Sequence, residues 1–387
     1  MMQQTHTPTP FGKIFFSFLR LGFTAFGGPA IVPHMRQMVV AQKCWIDAET
    51  FDRGNALAQI VPGAISVQVA AFVGLQLRGL AGAAAACTGF VLPAFLLMLG
   101  LSALYERWHD AAAAAAGFSG LRAVVIAILA HAAFLAGRHS IKNKTGAAVA
   151  LLAALLFGYR ISPVLVILAA GLIGRLVFAA ECCKPAAARL QVSAKSRQIL
   201  LLLAAVVAGF VLLHLLEGKL FSLALLMAKI DLFAFGGGYT SVPLMFHEIV
   251  EVRGWVDGTT LLDGIALGQL TPGPIVITAT FVGYLLHGVP GAAAATVCIF
   301  LPSFLIIVMV SPAIDRLRSY RGFDGCIQGI LCSFAGLLVS TVFHCASAMD
   351  WSWGLGLITA VAFIALYRRM PILFVLLGGI TAALVLL

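Results

Sequence analysis

Charge is scarce in this chain: only 10% of its 387 residues are Asp, Glu, Lys or Arg. A soluble fold of this length dresses its surface with about a quarter charged residues. That excludes a soluble enzyme and a nucleic-acid module. A secreted disulfide scaffold is excluded on the same ground, and the eight cysteines form no CxxC pair. Cys87 and Cys298 sit inside apolar runs as small hydrophobes, while Cys182-Cys183 in a polar linker keep a reactive alternative. The strand-like alternation of an outer-membrane barrel is missing. No metal-ligand cluster, nucleotide loop or nucleophile–base arrangement occurs, so the expectation is no cofactor, no metal and no enzyme. His131, His214 and His344 stand singly and read as satisfied core histidines. No cleavable signal is expected, since the polar residues 1–10 lead straight into the first apolar segment.

What the chain has in abundance is apolar length. Hydrophobic residues make up 61%, mean hydropathy is +1.03, and there are 39 glycines. Most apolar runs are ~16–25 residues, the length of helices crossing a bilayer. The fold class is therefore an all-α, multi-pass integral membrane protein. A net charge of +10 then reflects cytoplasmic loops facing anionic lipid, with no nucleic acid involved.

The sequence repeats itself. Pro33, Met35, Trp45, Asp47, Gln59, Pro62 and Gly63 recur 210 residues later as Pro243, Met245, Trp255, Asp257, Gln269, Pro272 and Gly273. After a one-residue gap, Gly74, Gly79, Gly82, Pro93 and Phe95 match Gly283, Gly288, Gly291, Pro302 and Phe304. Residues 11–179 and 220–387 are two copies of one unit, joined over 180–219 by a basic linker and one unmatched apolar helix. Each copy reads as six helical elements, beginning with 11–33 and 54–78 in the first and 220–243 and 263–287 in the second. Six, one and six give thirteen crossings, and the odd helix inserts the second copy upside down, the inverted-repeat plan of many secondary transporters. Counted on that topology, fifteen loop Lys+Arg fall on the amino-terminal side and six on the other. The four that remain, Arg20, Arg122, Arg175 and Lys229, fall within helices. This places the amino terminus in the cytoplasm and the carboxyl terminus in the periplasm.

Both copies interrupt their first two helices. The first breaks at Phe26-Gly27-Gly28 and at Phe235-Gly236-Gly237-Gly238, each followed by proline. Such backbone is tolerated at membrane depth where it is buried in protein or lines a cavity; close helix packing is the alternative reading. The second helix breaks at Gln59-Ile60-Val61-Pro62-Gly63 and at Gln269-Leu270-Thr271-Pro272-Gly273. Proline at the first helical position, with Thr271 as a cap, predicts a half-helix starting there. Its free N–H groups around Gly63 and Gly273, helped by Gln59 and Gln269, form an anion site at the midplane. A simple proline kink is the alternative. Arg20 and Lys229 hold matching places seven residues before Gly27 and Gly236. A buried cation faces a cavity or a partner unless it snorkels. Asp231, two residues from Lys229, is expected to pair with it or carry a proton. Arg122 has Ile327 opposite it in the second copy.

These motifs resemble the chromate ion transporter family in its long, two-domain form. The likeness is carried by Phe-Thr-Ala-Phe-Gly-Gly-Pro at 23–29, Phe-Ala-Phe-Gly-Gly-Gly-Tyr at 233–239 and the two Gln-x-x-Pro-Gly segments, and it covers nearly the whole chain. The resemblance implies efflux of chromate across the bacterial inner membrane and chromate resistance. Sulfate, with the same shape and charge, or another small dianion is the second reading, and a membrane oxidoreductase a third. Membrane lipid is the expected surrounding, and a homodimer is compatible with this plan.

Overall fold

The computed structural model describes residues 9–24, 31–108, 111–178, 196–312 and 322–386. Gly27, Gly28, Cys182-Cys183 and most of the basic linker lie outside the described residues. Among those described, all regular structure is helical. The first copy contains α1 (Phe11–Thr24), α2 (Ile31–Arg36), which runs on as a π-helix over Gln37–Gln42, α3 (Ala48–Ile60), α4 (Ile65–Trp108), α5 (Ala112–Ser140), α6 (Lys144–Gly158) and α7 (Pro163–Val177). The unmatched α8 (Ser196–Leu216) faces outward along its length. The second copy follows with α9 (Gly218–Phe233), α10 (Ser241–Met245), continued by a π-helix over Phe246–Val252, α11 (Gly258–Leu270), α12 (Thr278–Val310), α13 (Phe323–Ser347), α14 (Trp353–Tyr367) and α15 (Ile372–Leu386). Five helical stretches, at 65–108, 115–140, 197–216, 275–310 and 323–347, are long and apolar enough to cross a membrane.

Single broken helices over 11–33 and 54–78, and over 220–243 and 263–287, are not what forms. The chain reverses at the three described breaks. Lys229 in α9 pairs with Glu248, which lies beyond the Phe-Gly-Gly-Gly break. A continuous helix would separate those residues by roughly 28 Å, so the stretch of chain after the break folds back along α9. The second break reverses as well. A Cβ on Gly54 of α3 would strike the Phe72 ring of α4, and one on Gly264 of α11 would strike Phe281 of α12. Each copy thus inserts a short helical hairpin between its two breaks. Asp47 and Asp257 cap the second arm of each hairpin, accepting the N–H of Thr50 (2.7 Å) and Thr260 (2.6 Å).

A second reversal hides inside α4 and α12. Arg78-Gly79 and His287-Gly288 leave helical geometry, with φ of 62° at Gly79 and 60° at Gly288. A Cβ on Gly74 would stand 2.2 Å from the Gly82 carbonyl oxygen. In a straight helix residues eight apart are about 12 Å apart, so the two arms run antiparallel. Glycine is needed at the turn for its left-handed φ and at the contact for want of a side chain.

These reversals fix which turns share an end of the molecule. Arg78 donates to the Thr9 carbonyl (3.0 Å) and lies over the Phe11 ring. Since α3 runs back along the first arm of α4, the 43–47 turn sits at that same amino-terminal end. The 253–257 turn sits at the opposite end, where Gly258 meets Ala348, and Phe157 of α6 meets His247 (5.8 Å). Beyond the hairpins the copies exchange their last helices. Copy one's α5 packs on α14 and α15: Thr359 donates to the Ala123 carbonyl (3.2 Å), and Gly379 meets Val124. Copy two's α13 packs on α6 and α7, with Gly329 against the Ala170 carbonyl and Gly336 against that of Ala150. Small residues at these crossings let backbones touch, which is how helices associate in lipid.

Candidate functional site

Three of the four breaks meet in the interior. The first copy's turn at Pro62-Gly63-Ala64 docks on the second copy. Gly63 (φ 121°) donates its N–H to the Ala234 carbonyl (2.7 Å), just before Gly236. Ala64 donates its N–H to Ser303 Oγ (2.7 Å). Ser303 in turn donates both its N–H (2.8 Å) and its hydroxyl (2.7 Å) to Asp231 Oδ2. Asp231 is 0% exposed, and its Oδ1 has no partner among the described residues. Gln68 Nε2 donates to the Pro62 carbonyl (2.5 Å), closing the turn from its own side.

The second copy's turn at Pro272-Gly273 has different surroundings. By the same register, Gly22 and Ala94 stand where Asp231 and Ser303 stand opposite. A Cβ on Gly273 (φ 127°) would lie 2.9 Å from the Ala94 methyl, and the Gly273 N–H has no hydrogen bond among the described residues. Gln269 is buried beside it, 3.4 Å from the Tyr239 hydroxyl. A Cβ on Gly238 would collide with Ile275, and one on Gly237 would touch Ile65, so the glycine run bridges the other two breaks.

Several expectations change here. The N–H groups of Gly63 and Ala64 are not free: the second copy's backbone and Ser303 take them. Neither proline opens a half-helix, because α4 starts at Ile65, three residues past Pro62, and the helical turn after Pro272 starts at Ile275. Thr271 caps nothing ahead of it; its hydroxyl donates back to the Gly268 carbonyl (2.9 Å). Gln59 is exposed, unlike Gln269. Asp231 does not pair with Lys229. Lys229 Nζ instead reaches Glu248 Oε1 (2.5 Å), and Arg253 Nη1 reaches Glu248 Oε2 (2.5 Å). Arg20 is exposed and makes no ion pair among the described residues, for a readable reason: Met38 stands where the second copy has Glu248.

Two polar groupings escaped the sequence reading. Arg122 of α5 forks onto Asp263 of α11 through two 2.6 Å bonds, and the Tyr105 hydroxyl of α4 donates to the same carboxylate (2.8 Å). Asp263 is 0% exposed. The available signal was that both charges are unmatched between copies: Ile327 stands opposite Arg122, and Arg53 opposite Asp263. Two unmatched charges of opposite sign in apolar helices invite each other, because neither is tolerated alone. The other grouping is His247 Nδ1 on Glu251 (2.8 Å), with His344 Nε2 at 3.6 Å from the same carboxylate.

The model of one family, described as chromate transporter, matches the chain twice, over residues 12–175 and 221–384. A transporter of Methanocaldococcus jannaschii is 40% identical over 380 residues, 97% of this chain and 94% of that protein. A chromate transport protein of Pseudomonas aeruginosa is 31% identical over 88% of this chain and 82% of its own length. Another, from Cupriavidus metallidurans, is 28% identical over 91% of this chain and 87% of its own. No solved structure matches.

Proposed function

The chain belongs to the chromate transporter family, and from that premise we propose that it is a secondary transporter exporting chromate from the cytoplasm across the bacterial inner membrane, thereby conferring chromate resistance. The observation that carries the substrate reading is the second copy's turn. Backbone N–H groups at a helix start are preorganised for an oxyanion. At Gly63 that role is filled from within the protein, whereas the Gly273 N–H is unbonded among the described residues and Gln269 and Tyr239 add neutral donors beside it. The oxyanion binds there, against Gly236, Gly237 and Gly238, with Thr271 and Pro272 shaping the turn. Gly27 and Gly28, which lie outside the described residues, are assigned to the site from the sequence repeat alone. Arg20 and Lys229, two helical turns before the glycines, supply positive potential at longer range; neutral donors at the contact itself hold a dianion without trapping it.

Energetics support export. Moving one charge across 100 mV is worth ~2.3 kcal/mol, so an inside-negative potential drives a dianion outward with ~4.6 kcal/mol. That sustains roughly a thousandfold gradient. Orientation follows from loop charge. With the 43–47 turn at the amino-terminal end, Arg36, Lys43 and Arg53 join the amino-terminal set, and Arg253 leaves it. The division becomes seventeen against four, favouring a cytoplasmic amino terminus and a periplasmic carboxyl terminus. The hairpins leave the number of traversals odd, because two half-length arms and a hairpin return the chain to the side it came from.

Counterflow in proteoliposomes, with labelled chromate against excess sulfate, tests the reading. Chromate exchange that Gly273→Ala abolishes is the expected result. Exchange of sulfate without chromate would reassign the substrate, and no exchange of either would overturn the proposal.

A further inference from the structure

Asp231 is a buried acid whose bonding is incomplete. It lies in α9 just before the glycine break, fully enclosed, with both Ser303 donors on Oδ2 and none among the described residues on Oδ1. Because Ser303 Oγ accepts from Ala64, its single proton is committed to Asp231 Oδ2. A proton on this carboxyl therefore belongs on Oδ1. An ionised carboxylate with one bare oxygen in an apolar interior is expensive, and protonation removes that expense.

Among the described residues no cation is at hand to do so instead. Lys229 on the same helix is committed to Glu248. From α12 the carboxylate is faced by Ser303, and Tyr284, His287 and Cys298 of that helix make no hydrogen bond or ion pair with it. The α8 helix carries Arg197, which makes no ion pair with Asp231 among the described residues, and His214, whose ring meets Phe221 edge-to-face at 4.7 Å. Neither α10 nor the 61–64 turn carries a titratable side chain.

We propose that Asp231 Oδ1 is a proton-binding site, and that its proton controls how tightly the first copy's Pro62-Gly63-Ala64 turn is held. Ionised, the carboxylate binds the start of α4 through Ser303 and Ala64, doing for this helix start what a substrate oxyanion does for another. Protonated, it loses that charge, the turn loosens, and the N–H groups of Gly63 and Ala64 become available to an oxyanion. Proton and oxyanion then bind cooperatively, and each raises the other's affinity by the same factor. The proton comes from water on the side where the site is open, and returns to water when the carboxylate re-forms. Only this coupling to the oxyanion rests on the transport reading; the proton site does not.

Two measurements test it. Infrared difference spectra of the protein in lipid, without substrate, across a pH series should show a protonated-carboxyl band that Asp231→Asn removes. Ser303→Ala deletes a donor to the ionised form, so the band should persist to higher pH. A band that neither variant changes overturns the proton site, and Ser303→Ala keeps the test decisive should Asp231→Asn fail to fold. Chromate counterflow over the same pH series tests the coupling. The ratio of wild-type to Asp231→Asn affinity should fall about tenfold per pH unit above the titration, the limit for one linked proton. Chromate's own titration cancels in that ratio. A flat ratio overturns the coupling, whereas a clear carboxyl band with no chromate movement at all overturns the transport reading and leaves the proton site standing.

Discussion

The two hairpins descend from one sequence pattern yet sit in the molecule very differently. The second-copy hairpin, 241–270, is buried along both arms: Glu248 is 4% exposed, Asp263 0% and Gln269 9%. Its first-copy counterpart, 31–60, keeps Arg36 and Asp52 on the surface, with side chains 48% and 58% exposed. The ion pairs follow the same division. Arg36–Asp52 and Arg53–Glu49 lie within the first hairpin and tie it to nothing else. Lys229–Glu248 and Arg122–Asp263 tie the second hairpin to α9 and α5. Equivalent backbone, unequal charge placement: the second hairpin is clamped at its end of the molecule, and the first is open to solvent at the amino-terminal end. If the hairpins gate the pathway, the clamped second hairpin is the one held closed.

The largest way to break that comparison is to remove Arg122. Asp263 would be left buried with only the Tyr105 hydroxyl, and orphaning a buried charge costs about 3–5 kcal/mol. Arg122→Leu should therefore lower thermal stability in detergent markedly and expose the second hairpin, so that a cysteine at Gln269 becomes reactive to a water-soluble thiol reagent. Replacing Asp263 by Asn in the same molecule should recover most of the stability, since no charge is then stranded. If Arg122→Leu alone leaves both stability and labelling untouched, the pair is no clamp.

Much of this architecture was legible in the sequence, and what was not has a common cause. Helical class and the paired breaks follow from apolar run length and from matched glycines and prolines, which are local signals. The reversal of direction at those breaks was missed because glycine and proline say where a helix stops, and say nothing of where the chain goes next. Arg78-Gly79 and His287-Gly288 were missed as hairpins because one left-handed glycine inside continuous apolar sequence leaves no gap in the pattern. The site residues fared similarly. Asp231 stood out as a lone acid in an apolar helix, but its partner Ser303 lies 72 residues on, and Ala64 of the other copy completes the chain of bonds. Proximity in sequence suggested Lys229 instead. Lys229 found Glu248 because the reversal at Gly236-Gly237 carries that acid back alongside α9.

A smaller change sharpens the comparison by copying the clamp. Met38 occupies Glu248's place, and Arg20 that of Lys229. Met38→Glu should let Arg20 bind the first hairpin as Lys229 binds the second. Arg20 is exposed, so the pair is worth only ~0.2–1 kcal/mol, about a 1.4- to 5-fold shift toward the closed hairpin. Cysteine labelling at Gln59 should slow by that factor, and Arg20→Gln in the Met38→Glu background should restore it. Slowing that survives Arg20→Gln would mean that the new carboxylate acts some other way.

The smallest effect lies in the turns themselves. The Thr50 N–H donating to Asp47 holds that carboxyl below the ordinary carboxylate range. A carboxyl with a depressed folded value stabilises the hairpin above its unfolded titration and loses that contribution as pH falls through the folded one. Acidification should thus loosen α3, the first hairpin's second arm. Asp47→Ala, worth about 1 kcal/mol as a lost cap, should reproduce the loosening at neutral pH and erase its acid dependence. The first hairpin has no clamp to mask such a change, whereas Arg122 and Lys229 hold the second in place when Asp257→Ala removes the equivalent cap. Hydrogen exchange at the amides of Thr50 and Thr260 in the two variants measures the difference. Faster exchange at Thr50 in the first variant than at Thr260 in the second is the expected result, and equal acceleration would show that the ion pairs contribute nothing to holding the second hairpin.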